Sequence, residues 1–219
     1  MKKNIEFKNE PISSILHLIG ALLSIAALVI LIVYASLHGT AWHIIGFSIF
    51  GVALILLYTA STLFHFFKTD SKAKEVFLRI DHSLIFVLIA ATYTPVCLTV
   101  LRGSWGWSIF GVVWAIALAG IVIKSCGFGI KGWFSTVIYI FMGWVMVIAI
   151  FPLLKVIPLA GFLWLLFGGI FYTVGALFFG LDVKYPRKKN WGFGFHELFH
   201  VFVMLGSFSH FWFIMNYLI

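Results

Sequence analysis

The sequence predicts an all-α integral membrane protein, built as a bundle of seven transmembrane helices. Hydrophobic residues make up 63% of the 219 residues and charged residues only 10%, a composition that a water-soluble domain could not carry on its surface. The apolar residues also fall into stretches of the length that crosses a bilayer, about 20 residues each. Because no linker is long enough for a second domain, we expect one domain over residues 1–219.

The seven predicted spans follow one another with short connections: Ile12–Leu37, Ala41–Phe67, Ile80–Leu101, Trp107–Lys124, Trp133–Phe151, Leu159–Gly180 and Phe195–Tyr217. The first has a lysine-rich start, but its apolar core exceeds the ~7–15 residues of a signal peptide, so we expect it to be retained. Cys97 lies deep in the third span and Cys126 at the end of the fourth. A disulfide needs Cα atoms within about 7 Å, so we expect both thiols to be free.

The loop charges predict the orientation. All of the 15 lysines and arginines except Arg102 and Lys155 lie in the N-terminal segment or in the loops after the second, fourth and sixth spans. By the positive-inside rule the N-terminus is then cytoplasmic and the C-terminus lies outside. The net charge of +8 is explained by this topology and by anionic lipid headgroups. We therefore expect membrane lipids as partners, no nucleic acid, and no particular protein partner.

Polar side chains collect at the predicted cytoplasmic ends of three spans. His65 lies near the end of the second span, Asp81 at the start of the third, and His196 and His200 in the first two turns of the seventh. Ser61 lies one turn deeper than His65. At ~1.5 Å of rise per residue these groups occupy one layer near the inner boundary of the membrane. Since ionisable groups at this depth are costly, their coincidence predicts a functional site.

The spacing of these residues favours a metal site. His196 and His200 are four residues apart, as are Ser61 and His65, so each pair shares one helix face. Three imidazoles from two helices suit zinc, which takes three protein ligands and a water when its site is catalytic. We predict His65, His196 and His200 as the ligands. Asp81 is then a candidate for holding or deprotonating the water, and Ser61 for orienting that water or a substrate carbonyl.

The run from His196 to His200 also matches the H-E-x-x-H pattern, in which the glutamate acts as a general base. This match is weak support, because Glu197 is about 100° round the helix from His196 and need not face the metal. Lone intramembrane histidines more often hydrogen-bond between helices than bind metal. We interpret the remaining membrane histidines in that way: His17, His43 and His210, with His82 contacting a neighbouring helix or a headgroup.

Three motifs together resemble the haemolysin III branch of the progestin and adipoQ receptor family: Ser61-x-x-x-His65, the run Arg79-Ile80-Asp81-His82 leading to Thr92-Tyr93-Thr94-Pro95, and His196-x-x-x-His200 followed by Gly206-Ser207 and His210. The wider superfamily contains the alkaline ceramidases, and the resemblance covers almost the whole chain. It implies seven helices, a cytoplasmic N-terminus and a zinc site with three histidine ligands, with Asp81 and Ser61 beside it. The polar run of the family that precedes His17 is kept only in part.

Two classes of function remain open. The first is a zinc-dependent hydrolase of a lipid amide or ester at the cytoplasmic leaflet, in which Asp81 takes a proton and Ser61 places the substrate. The second is non-enzymatic, either a sensor or regulator of membrane state with structural zinc or a haemolytic, membrane-lytic protein. A wide aqueous pore is disfavoured, because the outer halves of the spans are mostly Leu, Ile, Val and Phe.

Overall fold

The structure is a computed structural model, and it describes residues 10–67, 71–125, 132–185 and 193–219. These residues form seven spans of membrane-crossing length. This confirms the predicted class. The helices are α1 Pro11–His38, α2 Ala41–Phe66, α3 Lys72–Leu98, α4 Ser104–Ser125, α5 Gly132–Gly143, a 3₁₀ helix at Val145–Ala149, α6 Ile150–Leu154, α7 Leu159–Lys184 and α8 Phe195–Tyr217. The fifth span comprises α5, the 3₁₀ helix and α6.

The spans alternate in direction, so the bundle has two ends. We call the end that carries the start of α1 the N-terminal end, and the opposite one the C-terminal end. Consecutive helices pack side by side from α1 to α4, as do α7 and α8, while α8 also contacts α1 and α3. The start of α8 therefore comes to lie beside the end of α2 at the N-terminal end.

Burial in the bundle is the reverse of that in a soluble protein. Large apolar side chains such as Leu22, Phe151 and Val183 are exposed, while polar side chains including Ser13 and Thr94 are buried. Lipid solvates the exposed apolar side chains, and the polar groups turn inward because hydrocarbon offers them no hydrogen-bond partner. The interior is thus the part of the molecule in which polar chemistry is possible.

The third span begins eight residues earlier than the predicted Ile80. Helix α3 starts at Lys72, and the Ser71 hydroxyl caps it by accepting a hydrogen bond from the backbone N–H of Lys74 at 3.1 Å. Hydropathy could not detect these first turns because they are polar. Asp81 consequently lies nine residues into α3, about 14 Å along the axis from its start.

The fifth span, predicted as one continuous helix, is broken after Gly143. The Tyr93 hydroxyl of α3 lies at the break, 2.8 Å from the Met142 carbonyl oxygen and 2.6 Å from that of Gly143, and it accepts a hydrogen bond from the Met146 N–H at 3.2 Å. A side chain from another helix thus satisfies backbone groups that the break frees, as an irregular segment inside a membrane requires. This contact was not visible in the local sequence.

Candidate metal centre

Three histidine rings meet at the N-terminal end of the bundle. His65 comes from the last turn of α2, and His196 and His200 come from the first two turns of α8. One ring nitrogen from each lies within 4.8 Å of the other two, and the Nε2 atoms of His65 and His196 are 3.4 Å apart. His65 and His200 are almost completely buried. The predicted convergence of these three side chains is therefore present, in an arrangement that could hold one metal ion.

Two carboxylates that sequence reasoning missed contact these rings. Glu10, just before α1, lies 2.6 Å from Nδ1 of His65, and Asp182, in the last turn of α7, lies 3.3 Å from Nδ1 of His196. A carboxylate on one ring nitrogen fixes the ring and leaves the other nitrogen for a ligand. The sequence could have indicated both as candidate site residues, because the chain has only seven acidic residues and these two lie next to the ends of predicted spans.

Glu10 also contacts the start of α3. Its carboxylate lies 3.5 Å from Nζ of Lys74, and its backbone N–H donates to the carbonyl oxygen of His65 at 3.2 Å. Burial of the carboxyl group raises its pKa, but the hydrogen bond to His65 and the charges of His65 and Lys74 outweigh this and lower the pKa to about 2. Glu10 is thus ionised at neutral pH and links α1 to the ends of α2 and α3.

Asp81 and Ser61 face each other beside the histidines. The Ser61 hydroxyl is a hydrogen-bonding partner of the Asp81 carboxyl group, and both side chains are at least nine-tenths buried. They line the same cavity as the three histidines. The structure therefore brings all five predicted site residues to one place, on α2, α3 and α8.

Glu197 is turned towards α1 instead. Its carboxylate accepts a hydrogen bond from the Ser13 hydroxyl at 2.9 Å and another from the Gly194 N–H at 2.9 Å. It therefore caps the start of α8 and holds that helix against α1, as acidic residues in a first turn commonly do. In this H-E-x-x-H pattern, His196 and His200 are the candidate metal ligands, whereas Glu197 caps the start of α8.

The other membrane histidines differ from one another. His43 bonds the Leu218 carbonyl oxygen at 2.8 Å through Nε2, so the predicted interhelical contact is confirmed for it. For His17 it is wrong, because neither ring nitrogen has a hydrogen-bond partner in the part of the chain that the structure describes. The ring instead stacks on His200, with 3.6 Å between centroids. For His210 it is also wrong, since Nδ1 bonds the Gly206 carbonyl oxygen of its own helix. The side chain of His82 lines the cavity.

The cavity beside the histidines has a volume of about 460 Å³. It extends from the histidines along α8 as far as His210, and its walls come from α2, α3, the broken fifth span, α7 and α8. Most wall residues are apolar, for example Leu88, Met146, Phe162 and Leu165.

Cys97 is buried and has a free thiol, as predicted, whereas Cys126 lies outside the described residues.

Comparison with known proteins agrees with the family resemblance that the sequence motifs indicate. A family model described as Haemolysin-III related matches residues 5–211. The chain is 44% identical over 212 residues to the Hemolysin-3 homolog of Bacillus subtilis (strain 168), covering 96% of this chain and 94% of that protein. It is 42% identical over 214 residues to Hemolysin-3 of Bacillus cereus, covering 97% and 93% of the two chains. With seven membrane-spanning helices and these matches, the chain belongs to the haemolysin III family and is a multi-pass protein of the cell membrane.

Proposed function

We propose that the protein binds zinc through His65, His196 and His200 and hydrolyses a lipid amide or ester at the cytoplasmic leaflet. One observation carries the proposal: three imidazole nitrogens within 4.8 Å of one another share an apolar cavity with a buried carboxyl group and a hydroxyl group. The resemblance to a superfamily that contains the alkaline ceramidases supports the class of substrate.

The donor set fits zinc in its chemistry, and one pair of nitrogens also fits it in spacing. Imidazole is a preferred zinc ligand, and nitrogens about 2.0–2.1 Å from a tetrahedral ion lie about 3.3 Å from one another. The Nε2 atoms of His65 and His196 are 3.4 Å apart, so this pair needs almost no adjustment. Glu10 and Asp182 supply the carboxylates that commonly orient metal-binding histidines.

The residues around the proposed ion are suited to hydrolysis. Zinc bound here supplies Lewis acidity, which acidifies a water molecule and polarises a carbonyl group. Asp81 accepts a proton from the attacking water and returns it to the leaving group. Ser61 donates its hydroxyl hydrogen to Asp81 and keeps its lone pairs free to accept a hydrogen bond from the same water. The buried position of both residues keeps bulk water from competing with these contacts.

The cavity is suited to a lipid substrate. It begins at the three histidines near the helix ends, close to the depth of a headgroup linkage, and most of its wall residues are apolar. An acyl chain placed along the walls would put its carbonyl group near the three histidines. The break in the fifth span contributes to this space, because Gly143, Trp144 and Met146 line it.

The test combines metal content with lipid turnover in purified, detergent-solubilised protein. We expect stoichiometric zinc and release of fatty acid from a ceramide and phospholipid panel in the wild type. His196→Ala should lose both, whereas Asp81→Asn should keep zinc and lose hydrolysis by a factor of about 10² or more. Glu197→Gln is the matched control, since that side chain faces Ser13, and it should keep both. Wild-type protein that binds no zinc would refute the proposal.

One observation favours a second candidate function, that of a non-enzymatic regulator whose helix bundle is stabilised by structural zinc. The three rings and their carboxylates connect α2 and α8 with α7 and the start of α1, so a bound ion would hold four parts of the bundle together. Bound zinc with no lipid turnover in any substrate panel would favour this candidate. The Bacillus cereus relative is named for haemolysis; if lysis of erythrocytes follows from lipid hydrolysis, Asp81→Asn should lose both activities.

A further inference from the structure

The far part of the cavity contains a second polar group that the proposed chemistry does not use. His210 lies ten residues beyond His200 on α8, about 15 Å along the helix axis. The residue is 7% exposed and lines the same cavity as the three histidines of the candidate metal centre. An imidazole at this depth among apolar walls is costly unless it has a hydrogen-bonding role.

The hydrogen bonds of His210 determine what it can offer. Nδ1 lies 2.9 Å from the carbonyl oxygen of Gly206. A carbonyl oxygen only accepts, so Nδ1 carries the hydrogen, and in the neutral ring Nε2 is then an acceptor. Among the described residues no side chain or backbone group donates to this Nε2. His210 is therefore an unused acceptor at the cavity wall.

The neighbouring hydroxyl groups are occupied with one another. Tyr172 from α7 and Tyr58 from α2 both bond the Ser207 hydroxyl, at 2.9 and 2.7 Å. These contacts join three helices and hold Tyr172 beside the His210 ring, with 5.4 Å between ring centroids. The tyrosines thus fix the surroundings of His210 but leave its acceptor free.

Gly168 of α7 fixes the position of the ring. A Cβ atom at that residue would come within 2.2 Å of Nδ1 and Cε1 of His210, so the imidazole occupies the space that the missing side chain leaves. The ring cannot turn away from the cavity without losing this packing and the bond to Gly206. The acceptor is held in one place, as a binding group requires.

We propose that His210 binds a hydroxyl group in the middle of a lipid chain whose carbonyl end lies at the three-histidine cluster. This rests on the proposed function and specifies its substrate as a hydroxylated acyl lipid. A hydroxyl group is the donor that such a chain can carry at this depth, and the apolar walls between the two polar ends accommodate its methylene groups. The separation of about 15 Å between His200 and His210 sets where along the chain the hydroxyl must be.

The test measures binding and does not require turnover. Octadecanoic acid and the positional isomers of monohydroxyoctadecanoic acid compete with a fluorescent fatty acid for detergent-solubilised wild-type protein. We expect one mid-chain isomer to bind about 2–10-fold more tightly than octadecanoic acid, the range for one neutral hydrogen bond. In His210→Phe, and in His210→Leu as a second variant, that ratio should fall to about one. Ser209→Ala, on the same turn but bonded to the Trp164 carbonyl oxygen, should keep the ratio.

Because the measured quantity is a ratio of two affinities within one variant, a smaller folded fraction does not change it. The proposal is overturned if no isomer binds more tightly than octadecanoic acid, or if the preference persists in both His210 variants. Failure of lipid hydrolysis with the preference intact refutes the hydrolase and leaves this subsite standing. Hydrolysis without any preference for a hydroxylated chain refutes the subsite alone.

Discussion

Single contacts decide which ring nitrogen His65 and His196 leave available for a metal ion. The carboxylates of Glu10 and Asp182 lie against Nδ1 of His65 and His196, which leaves the two Nε2 atoms facing each other at 3.4 Å. Within the described residues no carboxylate lies against His200, whose ring stacks on that of His17 at 3.6 Å. At the scale of residues, then, the candidate metal centre depends on side chains that are not themselves candidate ligands.

Glu10→Gln tests this dependence. The amide can still accept a hydrogen bond from Nδ1 of His65 but lacks the charge that makes the ring more basic, so we expect zinc affinity to fall by about tenfold or more. Competition with a chromogenic chelator measures the affinity. Glu75→Gln, on the exposed face of the first turn of α3, is the control and should leave the affinity unchanged. Equal affinities for the two variants would show that Glu10 does not orient the ligand.

At the scale of elements, the connection between helices α3 and α4 leaves room for no side chain larger than that of glycine. At the start of α4, the Gly106 N–H donates to the Leu101 carbonyl oxygen at 2.9 Å, and a Cβ atom there would lie 2.3 Å from the carbonyl oxygen of Cys97. Backbone atoms cannot move aside as a flexible side chain can. The tight connection between α3 and α4 therefore requires glycine at this position.

Gly106→Ala should destabilise the protein, by about 1–3 kcal/mol for a forced overpacking. At Gly111, one turn and a half further along α4, an added Cβ atom would have no neighbour within 4 Å among the described residues, so Gly111→Ala should be neutral or stabilise the helix by up to about 1 kcal/mol. Thermal unfolding in detergent, followed by far-UV circular dichroism, compares the two. Equal midpoints would contradict the packing at the α3–α4 connection.

At the scale of the whole molecule, the orientation of the bundle decides which leaflet the candidate metal centre faces. The loop charges predict that the N-terminal end is cytoplasmic. With the seven spans found among the described residues, the C-terminus is then predicted to lie on the other side. The three histidines, which lie at that end of the bundle, would then face lipids of the cytoplasmic leaflet.

Reporter fusions test this topology. Alkaline phosphatase, which is active only outside the cytoplasm, should be active when fused after Ile219 and inactive when fused after Lys184. A green fluorescent protein at the same two positions should show the opposite pattern. Phosphatase activity after Lys184 would reverse the orientation and move the proposed hydrolysis to the outer leaflet.

Sequence alone determined the seven spans and the polar layer, because hydropathy and helical spacing are local properties that need no knowledge of neighbouring helices. It also indicated His65, His196, His200, Asp81 and Ser61, since each stands out against an apolar span. Only the tertiary structure showed the contacts of Glu10, Asp182 and Glu197, the stacking of His17, the hydroxyl of Tyr93 at the break in the fifth span, and the free acceptor of His210. These depend on which helices become neighbours, and that is decided by packing between residues far apart in the chain.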